Sequence, residues 1–143
     1  MSLRRGLALV VLLGCATHDS EVKRIVQLRC DDLSQKLATM SEAHRKRLAL
    51  KDLSPTQSAA ADQNLEILGP EGRAVASRWL DNEFGFCMQV RAKGDKAQAD
   101  RINGEFGHLL QTYRESTAME QIASSLEAMH ALAGEMTKLP LTD

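Results

Sequence analysis

Two Glu-x-x-His motifs contain the residues of this chain whose types and spacing best suit metal chemistry. Glu105 and His108 form the first motif, and Glu127 and His130 form the second. Residues three apart lie on one side of a helix, so each motif would present a carboxylate and an imidazole together. Helical bundles can hold two iron or manganese ions with two such motifs and two further glutamates. The pattern therefore makes these four residues candidate metal ligands.

Helical geometry argues against this use of the two motifs. At about 100° per residue, His108 lies roughly 140° from the centre of the apolar stripe on its predicted helix. Glu127 lies roughly 135° from the centre of its own stripe, so both side chains are expected to face water. We therefore expect no resident metal or other cofactor. Glu105, His108, Glu127 and His130 stay as candidates for a di-metal site or, alternatively, for an adventitious surface site.

The chain lacks the local motifs of the common enzyme classes. It contains no His-Glu-x-x-His, no Gly-x-Ser-x-Gly, no phosphate-binding glycine loop, no dinucleotide fingerprint and no Cys-x-x-Cys-His haem site. A Ser-His-Asp site assembled from distant residues would leave no such local spacing. We expect that the protein is not an enzyme and has no catalytic residue.

The amino terminus has the pattern of a secretory signal. Arg4 and Arg5 precede an unbroken run of 7 apolar residues, Leu7 to Leu13, and small residues follow. As a helix this run would be roughly 10 Å long, whereas the hydrocarbon core of a membrane is about 30 Å thick. It is therefore too short to span a membrane. Two alternatives to lipidation are cleavage after Ala16 and a buried N-terminal helix.

The tetrapeptide Leu12-Leu13-Gly14-Cys15 resembles the lipobox of bacterial lipoproteins. The resemblance implies that residues 1–14 are a removed signal peptide, that Cys15 is diacylated, and that residues 15–19 are a tether. Each buried methylene of an acyl chain adds about 0.8 kcal/mol, so two or more chains give a stable anchor. Ala16 stands where an Asp would favour retention at the inner membrane. The resemblance thus implies an outer-membrane lipoprotein that faces the periplasm.

Cys30 and Cys87 are the two cysteines that remain if Cys15 carries lipid. A pair of cysteines in an oxidising compartment is typical of a disulfide. Closing a loop of 57 residues would stabilise the fold by about 4 kcal/mol in the chain-entropy model. The alternative is two separate buried thiols.

Composition favours one helical domain, residues 20–143. Without residues 1–14 the chain keeps 129 residues, enough for one core, with 16 basic and 19 acidic residues. Such a balance gives no electrostatic reason to expect a nucleic-acid partner. Aromatic residues make up only 3% of the chain and β-branched runs are scarce, which disfavours a β-sandwich or barrel.

Apolar periodicity predicts an all-α fold, an antiparallel bundle of four to five helices with one disulfide. The first helix is expected to begin near Ser20 and to continue to about residue 52 or to break near Ser41. Ser54-Pro55-Thr56-Gln57 has the capping-box pattern for a second helix, which would end at Gly69-Pro70. The stripe of the first helix has helical spacing throughout: Val26, Cys30, Leu33, Leu37, Met40 and His44.

Three further helices are expected in the second half of the chain. The third spans about Glu71 to Lys93, and Gly94-Asp95 would end it and cap the fourth. The stripe slips by one residue near Thr117, where Thr117 to Glu120 has a capping-box pattern, so the chain either turns or bends there. The stripes are Ala76, Trp79, Leu80, Cys87 and Val90 on the third helix, Ile102, Phe106, Leu109 and Tyr113 on the fourth, and Met119, Ile122, Leu126, Met129, Ala133 and Met136 on the fifth.

Three other groups of residues suit either binding or structure. The basic run from His44 to Arg47, with Lys51, suits anionic headgroups or an acidic partner, although a solvated helix face is the simpler interpretation. Four methionines suit either copper binding, an adaptable binding groove or the core: Met88, Met119, Met129 and Met136. The aromatic residues beside Cys87 suit a partner or the packing around a disulfide: Trp79, Phe84 and Phe86.

These features predict a membrane-anchored helical module that binds or assists another envelope protein. Secretin pilotins and immunity or inhibitor lipoproteins are similar in architecture, but that similarity identifies no functional residue here. The alternative is a periplasmic bundle that binds a metal or another ligand, and an envelope hydrolase ranks third.

Overall fold

The computed structural model describes the backbone of residues 2–63, 65, 70–91 and 95–141, and the side chains of residues 20–63, 65, 71–91 and 95–141. Five helices account for most of these residues, and no strand occurs among them. The predicted all-α helical bundle is confirmed. The helices are α1 (Ser2–Ala49), α2 (Pro55–Gln63), α3 (Pro70–Gln89), α4 (Lys96–Glu115) and α5 (Met119–Thr137).

Four of the helices form an antiparallel bundle in which each helix packs against two neighbours, in the cyclic order α1, α3, α4, α5. Arg45 near the end of α1 pairs with Glu120 at the start of α5, at 2.7 Å. Arg101 near the start of α4 pairs with Glu135 near the end of α5, at 3.2 Å. Such links between opposite helix ends require antiparallel directions.

Helix α2 lies outside this four-helix core. None of its residues is buried. It is held mainly by Arg47 of α1, which donates to Asp62 at 2.6 Å and to Ser58 at 3.1 Å. Its predicted capping box is present, since the Gln57 backbone N–H donates to the Ser54 hydroxyl and the Ser54 N–H donates to the Gln57 side chain. The helix extends to Gln63, and its expected end at Gly69-Pro70 falls on a segment of which only Leu65 and the Pro70 backbone are among the described residues.

Helix α1 is continuous and does not break near Ser41, whose hydroxyl donates to the Ala38 carbonyl within the helix. It begins at Ser2 rather than near Ser20, so the backbone of the expected tether, residues 15–19, is helical, and no proline interrupts α1. The side chains of the predicted signal peptide and of Cys15 lie outside the described residues. No helix within the described part of the chain is long and apolar enough to cross a membrane.

The predicted stripe of α1 forms its buried face, with Cys30, Leu33, Leu37, Met40 and His44 all buried. The Cys30–Cys87 disulfide links α1 to α3, with the two Cα atoms 5.9 Å apart. Arg29 adds a bidentate pair with Glu83 of α3, at 2.7 and 2.8 Å. Covalent and ionic contacts therefore join the same turns of the two helices.

The prediction for α3 was wrong at Trp79, which is 41% exposed. Ser77, Leu80 and Phe84 are buried and define the inner face of α3. Trp79 is one position, about 100° of helical rotation, away from Leu80, so its ring lies outside that face. The prediction had placed Trp79 on the apolar stripe because of its hydrophobicity alone.

The turn between α4 and α5 settles whether the chain bends or turns near Thr117. Helix α4 ends at Glu115 and α5 begins at Met119, with Ala118 as its N-cap. The predicted Thr117–Glu120 capping box does not form, because Ala118 makes no side-chain cap. The Ser116 hydroxyl instead accepts from the Ala118 N–H at 3.2 Å and donates to the Gln121 side chain at 2.7 Å. Asp95 caps α4 as predicted, accepting from the Gln98 N–H at 3.1 Å.

Candidate binding groove

The four candidate metal ligands are all exposed and are not brought together as a site. Arg101 donates to Glu105 at 3.1 Å, and Arg45 donates to Glu127. The hydrogen bond from Arg45 holds the pKa of Glu127 below its ordinary value. Within the described part of the chain, no group of three or more His, Cys, Asp or Glu residues could hold a metal ion.

The basic run at the end of α1 is occupied by contacts within the protein. His44 is buried with Nδ1 2.9 Å from the Met40 carbonyl. Arg45 binds Glu120, Glu127 and the Ser124 hydroxyl of α5, and Lys46 pairs with Glu42 on its own helix. These contacts favour the structural interpretation of the run over a surface for headgroups.

The methionine and aromatic groups divide between core and surface. Met88, Met129 and Met136 are buried among other apolar side chains, which favours core filling over copper binding. Phe84 is buried, and Phe86 lies beneath the Arg29 guanidinium, 3.9 Å from the ring centroid. The three aromatic residues near Cys87 therefore do not form one exposed patch.

A buried arginine lies against the disulfide, and sequence patterns gave no sign of it. Arg91, 1% exposed, has Nη1 3.2 Å from Cys30 Sγ and 3.3 Å from the Cys87 carbonyl. Its Nη2 donates to the Gln27 side chain at 3.0 Å, and its Nε has no hydrogen-bond acceptor among the described residues. Burial lowers the pKa of Arg91, and the charge of Asp31 opposes that shift. These contacts join the residues just after α3 to α1, beside the disulfide.

The outer side of α3 and α4 contains two hollows in line, which we call the groove, and its walls combine polar side chains with Met88, Ala99 and Leu110. At one end is a hollow of about 250 Å³, to which α3 contributes Ser77, Arg78 and Asp81. Helix α4 contributes Gly107, Gln111 and Arg114 to the same hollow. A second hollow of about 240 Å³ lies farther along the same two helices. Its lining includes Gly85 and Gln89 of α3 and Asp100 and Asn103 of α4.

Two glycines keep this groove open. A Cβ atom built on Gly85 or Gly107 would meet nothing within 4 Å, so packing does not require glycine at either position. A glycine inside a helix costs roughly 0.5–1 kcal/mol relative to alanine. Gly104 and Gly134 are equally open, so this cost falls on four of the described helix positions. At Gly85 and Gly107 the missing side chains leave space over the helix backbones of the groove.

The basic end of the groove contains hydrogen-bond donors that the described residues leave unused. Ser77 is only 2% exposed, and its hydroxyl has no hydrogen-bond partner among the described residues. Arg78 is exposed and forms no ion pair with any described residue. The one ion pair of Arg114 is a long contact of 3.8 Å with its neighbour Glu115. Two guanidinium groups and a buried hydroxyl are therefore available at one hollow.

Comparisons of the chain with protein families, with curated proteins and with solved structures found no match. The fold itself defines the class, an all-α four-helix bundle with one disulfide and an additional short helix. A bundle by itself supports many functions, so function depends on particular residues.

Proposed function

We propose that this protein is a lipoprotein of the bacterial cell envelope that binds or assists another protein. Acyl chains on Cys15 hold it at the membrane, on the periplasmic face of the outer membrane. The observation that carries the proposal is the sequence Leu12-Leu13-Gly14-Cys15 directly after the apolar run. The signal peptide is residues 1–14.

The length of α1 suits a protein that works close to its anchor. Among the residues of α1 whose side chains are described, Val26 is the first that packs against the core, 11 residues after Cys15. A helix of that length rises about 16 Å, so the bundle would lie within about three helical turns of the lipid headgroups. Such a short connection favours a partner in, or next to, the same membrane.

The groove between α3 and α4 supports a binding role for the bundle. It has open space over two glycines and, at one end, donors without acceptors, which are features of a surface that another molecule completes. Buried donors are normally satisfied, because an unsatisfied one costs about 1–3 kcal/mol. A partner that accepts from Ser77 would remove that cost.

Replacing Cys15 by Ser tests the anchor. Cells that express the full chain and take up an alkyne fatty acid should label the parent protein, which should fractionate with membranes. The Cys15→Ser variant should lose the label and leave the membrane fraction. A Cys30→Ser/Cys87→Ser variant is the matched control and should keep the label. Retention of Cys15→Ser in the membrane, with the parent unlabelled, would refute the lipoprotein assignment.

A second candidate function is a periplasmic bundle that binds a small ligand or a metal. The observation behind this candidate is the surface hollow of about 250 Å³, which lies just below the roughly 300–1,000 Å³ of typical small-ligand pockets. Metal analysis of tag-free protein after incubation with Fe, Zn or Cu distinguishes the metal form. Stoichiometric metal binding that is lost in His108→Ala and in His130→Ala would support this metal-binding function. It would then replace protein interaction as the proposed function.

A further inference from the structure

We propose that the groove between α3 and α4 binds an extended acidic peptide segment, with a carboxylate of that segment held between Arg78 and Arg114. This inference rests on the proposed interaction function and specifies the chemistry of the partner. The site lies on the bundle, whereas the anchor is at Cys15.

The charges at the basic end fit a single carboxylate. Arg78 and Arg114 line the hollow together with one acidic residue, Asp81, which leaves one net positive charge. Guanidinium groups bind carboxylates through paired N–H···O bonds. The buried Ser77 hydroxyl adds a donor that no described residue uses. One carboxylate matches the single net positive charge of this lining, whereas a phosphate, with nearly two negative charges, would exceed it.

The rest of the groove fits a peptide better than an isolated small acid. Asp81 can accept an N–H of a peptide backbone while the arginines bind the acidic side chain. In the second hollow, Gln89 and Asn103 provide amides that both donate and accept, as backbone groups require. Gly85 and Gly107 let a peptide chain approach the helices closely.

The length of the groove sets the length of the peptide. From Arg78 to Gln89 there are 11 residues of α3, which rise about 16 Å along the helix axis. An extended strand rises about 3.3 Å per residue, so about five residues span that distance. The acidic residue would lie at the end nearer Arg78.

The test is a titration of the full-length, detergent-solubilised protein, followed by two-dimensional amide NMR. The probes are acetyl-Glu-Ala-Glu-Ala-Ala-Ala-amide and the same peptide with Gln in place of Glu. The Glu peptide should shift the amide signals of Ser77, Gly85 and Gly107 and should bind at least tenfold more tightly than the Gln peptide. Equal binding of the two peptides, or shifts confined to residues outside the groove, would overturn the proposal.

Charge reversal identifies the two arginines. Arg78→Glu/Arg114→Glu should weaken binding of the Glu peptide at least tenfold, and both side chains are exposed, so the variant should keep the parent melting temperature. Arg24→Glu, at an exposed arginine on α1 away from the groove, is the matched control and should bind like the parent. Unchanged binding in the double variant would refute the assignment. If the double variant unfolds, Arg78→Gln/Arg114→Gln takes its place with the same expected loss.

Two further probes separate the peptide from simpler anions. Acetate and inorganic phosphate, each titrated alone, should shift the same amides at least tenfold more weakly than the Glu peptide. Equal or tighter binding of either ion would overturn the peptide assignment in favour of a small-anion site. Protein that carries the Cys15 label but does not bind the peptide in the groove would refute this inference and leave the envelope assignment intact. Protein that binds the peptide in the groove but carries no label would refute the envelope assignment and leave this inference intact.

Discussion

The rings of Phe84 and Phe106 stack face to face, with their centroids 3.7 Å apart and their planes inclined by 2°. Both rings are almost fully buried, so this contact fixes the register of α3 against α4 at the centre of the core. The next residue on each helix is a glycine, Gly85 or Gly107, and both glycines line the outer groove. The core and the groove therefore depend on the same pairing of helices.

Replacing Phe106 by Ala should lower the free energy of unfolding by about 3–5 kcal/mol, the range for a large aromatic side chain removed from a core. Urea unfolding followed by circular dichroism measures the change. Leu109→Ala is the matched control, because Leu109 is on the same helix and only partly buried, and it should cost clearly less. A loss below about 1 kcal/mol in Phe106→Ala would contradict the central role of the stack.

Breaking the Cys30–Cys87 disulfide should lower the free energy of unfolding by about 4 kcal/mol, because the unfolded chain loses a 57-residue loop constraint. Urea unfolding of the parent with and without reductant gives this difference. The Cys30→Ala/Cys87→Ala variant should resemble the reduced parent and should not respond to reductant. A response of the double variant to reductant would show that the reductant acts elsewhere.

The burial of His44 should make the fold less stable in mild acid. Burial, the largest effect, lowers the pKa of His44 from 6.5, the charge of Arg73 lowers it further, and the hydrogen bond with the Met40 carbonyl opposes both. In the unfolded chain the group takes up its proton near pH 6.5, whereas in the folded protein it does so only at lower pH. Between these values the unfolded state binds more protons, so stability is full above pH 6.5 and decreases as the pH falls through this interval.

Melting temperatures between pH 7.5 and pH 5 should therefore decrease toward acid in the parent and much less in His44→Gln, whose amide can still donate to the Met40 carbonyl. Glu83 and Glu127 have pKa values lowered from 4.5 by their arginine partners, so their contributions are lost below this interval. Identical slopes in parent and variant would exclude His44 as the cause.

Periodicity was sufficient to predict most of this fold from the sequence. The stripe from Cys30 to His44 repeats at helical spacing, and burial of one helix face is enough to give that pattern. The caps at Ser54 and Asp95 depend only on neighbouring residues, and both were predicted. The exposure of Trp79 was not predicted, because it depends on the angular position of Trp79 in α3 rather than on its hydrophobicity.

The candidate groove was not predictable in the same way. Arg78 and Arg114 are 36 residues apart in sequence and line one hollow only because α3 and α4 pair in antiparallel directions. From the sequence alone, Gly85 is only a residue that weakens a helix. Its position in the groove becomes evident only when α4 packs beside α3. The burial of Arg91 likewise depends on the disulfide corner that α1 and α3 form together. Tertiary contacts, rather than local patterns, produce these features.

Replacing Gly107 by Ala should separate stability from binding. A Cβ at this position meets no atom within 4 Å, so the substitution should raise the free energy of unfolding by about 0.5–1 kcal/mol through helix propensity. The same methyl group would occupy the hollow beside Ser77 and should weaken binding of the acidic peptide. Gly104→Ala is the matched control, because Gly104 is an exposed glycine of α4 that does not line either hollow and is equally open. Urea unfolding should show similar stabilisation in both variants, whereas the peptide titration should show weaker binding only in Gly107→Ala. Equal binding by the two variants would mean that the space over Gly107 is not where the peptide lies.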